Sequence, residues 1–132
     1  SPWFKPAIDE GQLAVAIKPS TTLQMIAVKD IGTFGALAFE RREELNGRAI
    51  DIASDQITMP VVAELLTEHL GRKIVHAPPP IEEVRSFSED FATMLEWFDR
   101  VGYEADIPRL QKDFGFSPTC FTDWLTDSTW SD

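Results

Sequence analysis

The chain has 132 residues, 43% of them hydrophobic and 26% charged, the composition of one soluble globular domain rather than of a disordered or fibrous chain. Twelve basic side chains against 22 acidic ones leave a formal net charge of −10, which argues against nucleic acid and anionic membrane as partners. A single cysteine, Cys120, excludes an internal disulfide framework and fits a reducing, cytoplasmic compartment.

Leu13, Val15 and Ile17 alternate with Ala14, Ala16 and Lys18, and the period of two predicts a strand. After the turn Pro19–Thr22, the nearly continuous apolar run Leu23–Val28 predicts a strand covered on both faces. From Asp30 onward Ile31, Phe34, Gly35, Leu37 and Ala38 recur at helical spacing, with Asp30 expected to cap the helix through its first free N–H groups. Arg41 and Arg42 sit toward the end of that helix, where cations are favoured, and Asn46-Gly47 closes it.

Arg48–Ala53 reads as a third strand. It leads to Thr58, a suitable cap, and Pro60, tolerated in a first helical turn. Val62, Leu65, Leu66 and Leu70 mark one face of the helix that follows, Gly71 ends it, and Lys73–Ala77 returns as a short strand. Helix followed by strand, twice, is the rhythm of α/β units. Pro78-Pro79-Pro80 then forms a stiff extended spacer.

Beyond it the period becomes helical for good. Phe91, Met94, Leu95 and Phe98 form one stripe, with Ser88 as a cap and Glu89 and Asp90 in the first turn. Gly102 ends this helix, and Ile107, Leu110 and Phe114, then Phe121, Trp124 and Leu125, mark two more. The fold class is thus α/β of the small α+β-lobe kind: short, mainly parallel strands with covering helices, then an all-helical C-terminal part, without a complete Rossmann domain. The expected organisation is one domain over residues 1–125, with an α/β part to residue 79 and a helical part from 80. A polar tail, 126–132, is expected to fray. Most of the acidic excess lies beyond residue 79, where 12 acidic side chains face 4 basic ones. No apolar window reaches the length of a spanning helix, and no signal-peptide series opens the chain.

Candidate chemistry is sparse. The seven glycines never form G-x-G-x-x-G, the spacing that lets backbone N–H groups approach a pyrophosphate at a helix start. Gly32-Thr33-Phe34-Gly35 follows a strand, but Asp30 and Phe34 would crowd an anion. His69 and His76 lie in different elements without a paired ligand, so no metal site is expected. His69 suits the last turn of its helix, and His76 an edge or a satisfied core position. Cys120 has no base or cation beside it in sequence and reads as a small buried residue. The paired carboxylates Glu82-Glu83, Glu89-Asp90 and Asp51 with Asp55 read as solvated faces or helix starts. Tyr103 has no Lys three or four residues on, so the hydroxyl–ammonium pair of a tyrosine-dependent reductase is not predicted. No catalytic residue is assigned.

Several segments in series resemble the NmrA-like family. Ile26–Gly32 followed by a small-residue helix is similar to the family's strand-to-helix junction. Asn46-Gly47-Arg48 into Ile50–Asp55 and Ile57–Pro60, then Leu70-Gly71-Arg72-Lys73, resembles its "G-r-x-i-x-l-a-s-D-x-x-T" segment and "l-G-r-x-v" strand. Met94–Phe98 with Gly102-Tyr103 resembles its "m-x-x-w-f-x-x-x-G-y" element, and Phe121–Leu125 its closing helix. The resemblance runs from about Trp3 to Leu125.

The resemblance implies the C-terminal, substrate-binding part of an atypical short-chain dehydrogenase/reductase, with the glycine-rich NAD(P)-binding half outside this chain. Opening on Ser rather than Met agrees with a cut or processed start. NAD(P) is then implied for that N-terminal half, and this chain alone is expected to bind no cofactor and to be inactive. Some members are reductases, whereas others lack the catalytic tyrosine and act as dinucleotide-sensing regulators that bind proteins. The expected partners are the Rossmann half, or a second copy in a dimer, and a small-molecule or protein ligand. A self-standing ligand or interaction domain is the further alternative. Trp3 and Phe4, at the segment emerging from the absent half, border the ligand cleft in this resemblance, although as aromatics they also suit a simple junction cover.

Overall fold

The computed structural model describes residues 3–128, a mixed α/β chain with eight helices and four short strands among the described residues. It divides into two compact, interleaved units. The first takes the residues up to Leu23 and Ile57–Tyr103, and the second takes Gln24–Gln56 and Glu104–Asp127.

The first unit opens with α1 (Lys5–Asp9), started by Pro6 and braced by a Lys5–Asp9 ion pair of 3.1 Å. At five residues it is too short to show an apolar period, and the sequence reading misses it. Strand β1 (Gln12–Leu13) pairs in parallel with β4 (Val75–His76), Gln12 opposite Val75 and Leu13 opposite His76. The predicted strand to Ile17 is therefore shortened, although Leu13, Val15 and Ile17 are all buried as the alternation requires. The reason lies in its partner: after Ala77, whose N–H still donates to Leu13 at 3.0 Å, three prolines follow and have no N–H to donate. Helix α4 (Met59–Leu70) covers the pair with Met59, Val62, Ala63 and Leu66, and Gly71 stops it in the left-handed region at φ 68°. Its N-cap residue, Thr58, makes no side-chain cap bond.

The proline run leads into α5 (Ile81–Phe87), a helix the sequence reading leaves out, and then α6 (Glu89–Arg100). Ser88 separates them and caps α6, its Oγ accepting from Phe91 N–H at 3.2 Å as expected. Arg85 binds Glu82, Glu89 and Glu96 together, tying α5 to α6. Trp97, Phe98 and Tyr103 pack edge-on or tilted with centroids 5.1–5.6 Å apart.

The chain enters the second unit within β2 (Thr22–Met25) and leaves it within β3 (Asp55–Thr58), the two strands of the other sheet. The second unit carries α2 (Val28–Glu40), the one-turn α3 (Arg42–Leu45), α7 (Ile107–Phe114) and α8 (Phe121–Asp127). The predicted strand at Leu23–Val28 thus ends early, with Val28 already helical. The strand expected at Arg48–Ala53 is displaced to Asp55–Thr58: Ile50, Ile52 and Ala53 do pack inward on Phe34, but the described residues supply no ladder partner alongside them. Phe34 stands between Phe114 and Phe116, at 5.2 and 4.8 Å, and with Ala53, Ala105 and Leu110 forms this unit's core. Gln24 completes it, its amide exchanging hydrogen bonds of 2.8 and 2.9 Å with the backbone of Ala105 in the manner of a strand neighbour. Gly115 ends α7 at φ 71°. Of the tail expected to fray, Thr126 and Asp127 belong to α8, and 129–132 lie outside the described residues.

Candidate functional site

Asp30 is a buried carboxylate, 4% exposed, and it does not cap α2. The N-cap is Ala27, which has no side-chain acceptor, and Asp30 falls in the first turn. Its Oδ2 accepts from Ser54 Oγ and from Thr119 N–H at 2.6 Å, and its Oδ1 accepts from Thr119 Oγ1 at 2.9 Å. Ser54 in turn accepts from Ala27 N–H at 3.2 Å, the N–H of the residue that precedes α2, and no side chain caps the helix's own first N–H groups. The N-cap expectation is overturned because the carboxylate has better donors outside its own helix. Burial pushes the Asp30 carboxyl up, but the hydrogen bonds from Ser54 and Thr119, with Lys29 nearby, outweigh it and hold it below the ordinary carboxylate value. Such a group is a poor proton acceptor at neutral pH, and its lone pairs are occupied. It fastens three segments of the second unit: the start of α2, Ala53–Asp55, and the loop before α8.

Beside this clamp lies a cavity of about 250 Å³ between Met25, Ala27 and Val28 and the stacked rings of Phe121 and Trp124, 5.7 Å apart. Asp55 shapes its wall by accepting from Phe121 N–H at 2.8 Å at the start of α8. A more polar cavity of about 420 Å³ lies between α3 and α7, with Arg41 held by Glu44 and the carbonyl of Asp113.

The first unit contains a cavity of about 640 Å³, within the range that takes small molecules. Its lining includes Pro78–Pro80 with Ile81, and Ala16, Ile17 and Pro19. Four charged residues of the lining, Lys18, Glu96, Asp99 and Arg100, complete it. Asp99 locks the Lys18–Thr21 turn in place, its Oδ1 accepting from Lys18 N–H at 2.9 Å and from Thr21 Oγ1 at 2.7 Å. Neither Asp99 nor Thr21 stands out in the sequence, where 78 positions separate them. The proline run does stand out, and it forms the cavity wall as well as the spacer.

Among the residues singled out from sequence, Trp3 is 87% exposed and Phe4 is half-buried at the start of α1. Neither lines any of the three cavities described. His69 is exposed in the last turn of α4. His76 Nε2 meets the carbonyl of Val15 at 3.0 Å and so carries its proton, while Nδ1 is buried without a hydrogen-bond partner among the described residues. Cys120 is half-buried beside Thr119.

Among the described residues, no three His, Cys, Asp or Glu group to hold a metal, and no helix is long and apolar enough to cross a membrane. A dinucleotide would need a glycine turn opening onto a helix start. Gly32 and Gly35 lie inside α2, and the positive-φ glycines sit at turns or past helix ends, so these residues do not fit the pyrophosphate of NAD(P).

The NmrA-like family model matches residues 3–125. No curated protein matches the chain. Among solved structures it is similar to a nucleoside-diphosphate-sugar epimerase from Staphylococcus aureus, at 14% identity and TM-score 0.81, covering 96% of this chain and 47% of that one. It is also similar to the triphenylmethane reductase of Citrobacter sp., solved with NADP(H), at 18% identity and TM-score 0.70, over 94% and 46%. A third is an NADPH-dependent quinone oxidoreductase from Escherichia coli, at 16% and 0.69, over 95% and 49%. At these identities the likeness is one of fold, and the chain spans about half the length of each.

Proposed function

The chain belongs to the NmrA-like family, and we propose that it is the C-terminal, substrate-facing part of an NAD(P)-dependent oxidoreductase, working with a nucleotide-binding part and inactive by itself. The observation that carries this reading is that a family match over nearly all of the chain coincides with about half the length of reductase structures that use NADP(H). In this reading Trp3 and Phe4 border the ligand cleft, and the protein works in the cytoplasm. Reading the gene upstream of Ser1 tests it: a strand followed by a glycine-rich loop is the expected result, and an initiation codon immediately before Ser1 overturns it.

The partner-facing lobe of a dinucleotide-sensing regulator is the second reading, and one face of α2 bears on it and on the first alike. Val28 is 82% and Phe39 78% exposed, and at eleven positions apart they lie on the same side of the helix, with Ile31 between them half-exposed. On either reading this face supports association, with the nucleotide-binding part or with a second copy of the chain. Phe39→Asp with sedimentation separates association through α2 from none.

A further inference from the structure

We propose that two copies of this chain pair through α2, antiparallel about a two-fold axis, with Phe39 of each copy seated on the cavity beside Val28 and Trp124 of the other. The pairing uses residues of the second unit alone and rests on neither functional reading.

The helix itself builds the face. At about 100° per residue, Val28, Gly32, Gly35 and Phe39 fall within an arc of about 60°, and all four are exposed. Ile31 borders the arc and is half-exposed. Between Lys29 and Glu40 the only charged residue of α2 is Asp30, which is buried under Ser54 and Thr119. The face is therefore uncharged over about three turns, and a chain of net charge −10 meets a copy of itself there with little local repulsion. Nothing stands within 4 Å of a would-be Cβ at Gly32 or Gly35, so a second helix can approach the backbone closely.

The occupant follows from the order of residues along the face. An axis that sets Val28 opposite the second copy's Phe39 also sets Gly32 opposite the second copy's Gly35, because both pairs are centred on the same point of the helix, between residues 33 and 34. Lys29 and Glu40, both exposed, project from one flank of the face, and the same axis brings each Lys29 beside the Glu40 of the other copy. Lys29 also meets Asp127 of its own chain at 3.6 Å, an exposed contact that an ammonium with three donors can share. At each end the Phe39 ring, 78% exposed, comes against Val28, which with Met25, Phe121 and Trp124 lines the cavity of about 250 Å³. An aromatic ring anchored in an apolar pocket is a common energetic centre of an interface. An unrelated helix would have to reproduce the order large, small, small, large and both flanking charges, whereas a second copy supplies them by symmetry.

Sedimentation equilibrium of the 132-residue chain gives the test, and the native chain should dimerise at micromolar concentration. Gly35→Leu, for which its own chain leaves room, should weaken dimerisation at least about tenfold by blocking the helix crossing, with circular dichroism unchanged. K29E and E40K should each weaken it about tenfold, since each sets like charges together at both ends of the face. An equimolar mixture of K29E and E40K should associate as tightly as the native chain, because the exchanged charges again meet opposite ones. A monomer at every accessible concentration overturns the proposal and leaves the face to another partner. A dimer that Gly35→Leu leaves intact overturns it by placing association elsewhere. Single charge variants that associate like the native chain, or a mixture that associates no better than either variant alone, also overturn it.

Discussion

Asp30 and Thr119, 89 positions apart in the chain, are joined by two hydrogen bonds, from Thr119 N–H to Oδ2 at 2.6 Å and from Thr119 Oγ1 to Oδ1 at 2.9 Å. With Ser54 as a third donor, this pair anchors the loop before α8 onto the first turn of α2.

Replacing Asp30 by Ala should therefore cost more than a helix cap. A lost N-cap costs about 1 kcal/mol, whereas removing a buried ionised acceptor leaves three donors unsatisfied, and we expect about 2–4 kcal/mol. Urea unfolding checks this, and a loss of 1 kcal/mol or less would return Asp30 to a capping role.

The pH dependence has a definite sign. Burial raises the Asp30 carboxyl but its hydrogen bonds lower it further, so its folded value lies below the ordinary one. A depressed folded value gives stabilisation that is full above the unfolded carboxylate's value of about 3.9 and is lost as pH falls through the folded value. The stability gap between the native chain and Asp30→Ala should stay flat from neutrality to about pH 5 and close in stronger acid. A gap that closes between pH 6 and 8 would contradict this.

Two glycines should respond in opposite directions to alanine. Gly11 has φ 84°, and a Cβ there would stand 3.1 Å from the carbonyl oxygen of Lys73, beside the β1–β4 pairing. Gly35 is inside α2 with nothing within 4 Å of its would-be Cβ. Gly11→Ala should destabilise by at least about 1 kcal/mol, and Gly35→Ala should stabilise by about 0.5–1 kcal/mol. Thermal melts of the two variants give the comparison.

Ser88→Ala should cost about 1 kcal/mol, since Ser88 Oγ satisfies Phe91 N–H at the start of α6. Unfolding in urea with an unchanged denaturant slope would confirm a local loss, and no change in midpoint would contradict the cap.

The parts of the fold legible in sequence are those set by local rules. Ser88 before the Phe91–Phe98 stripe, and Gly71 and Gly102 after their helices, mark helix ends because cap and left-handed turn depend on residues a few positions apart. Arg48–Ala53 misleads because alternating burial is the same whether or not a neighbouring strand completes the ladder. Asp30 misleads for a related reason: an acid in a first turn reads as a cap, and nothing local points to Thr119. The cavity was illegible for the same cause, since Asp99 and Lys18 meet from 81 positions apart. The proline run was visible, but its role as a wall depends on what faces it.

Whether this chain supplies the substrate-facing part while another part holds the dinucleotide is decided by titrating NADPH into the 132-residue chain. Its four tryptophans report a bound reduced nicotinamide by quenching and by energy transfer to it. No saturable quenching and no transferred emission are expected at micromolar cofactor; saturable quenching in that range would place the dinucleotide on this chain and overturn the proposal.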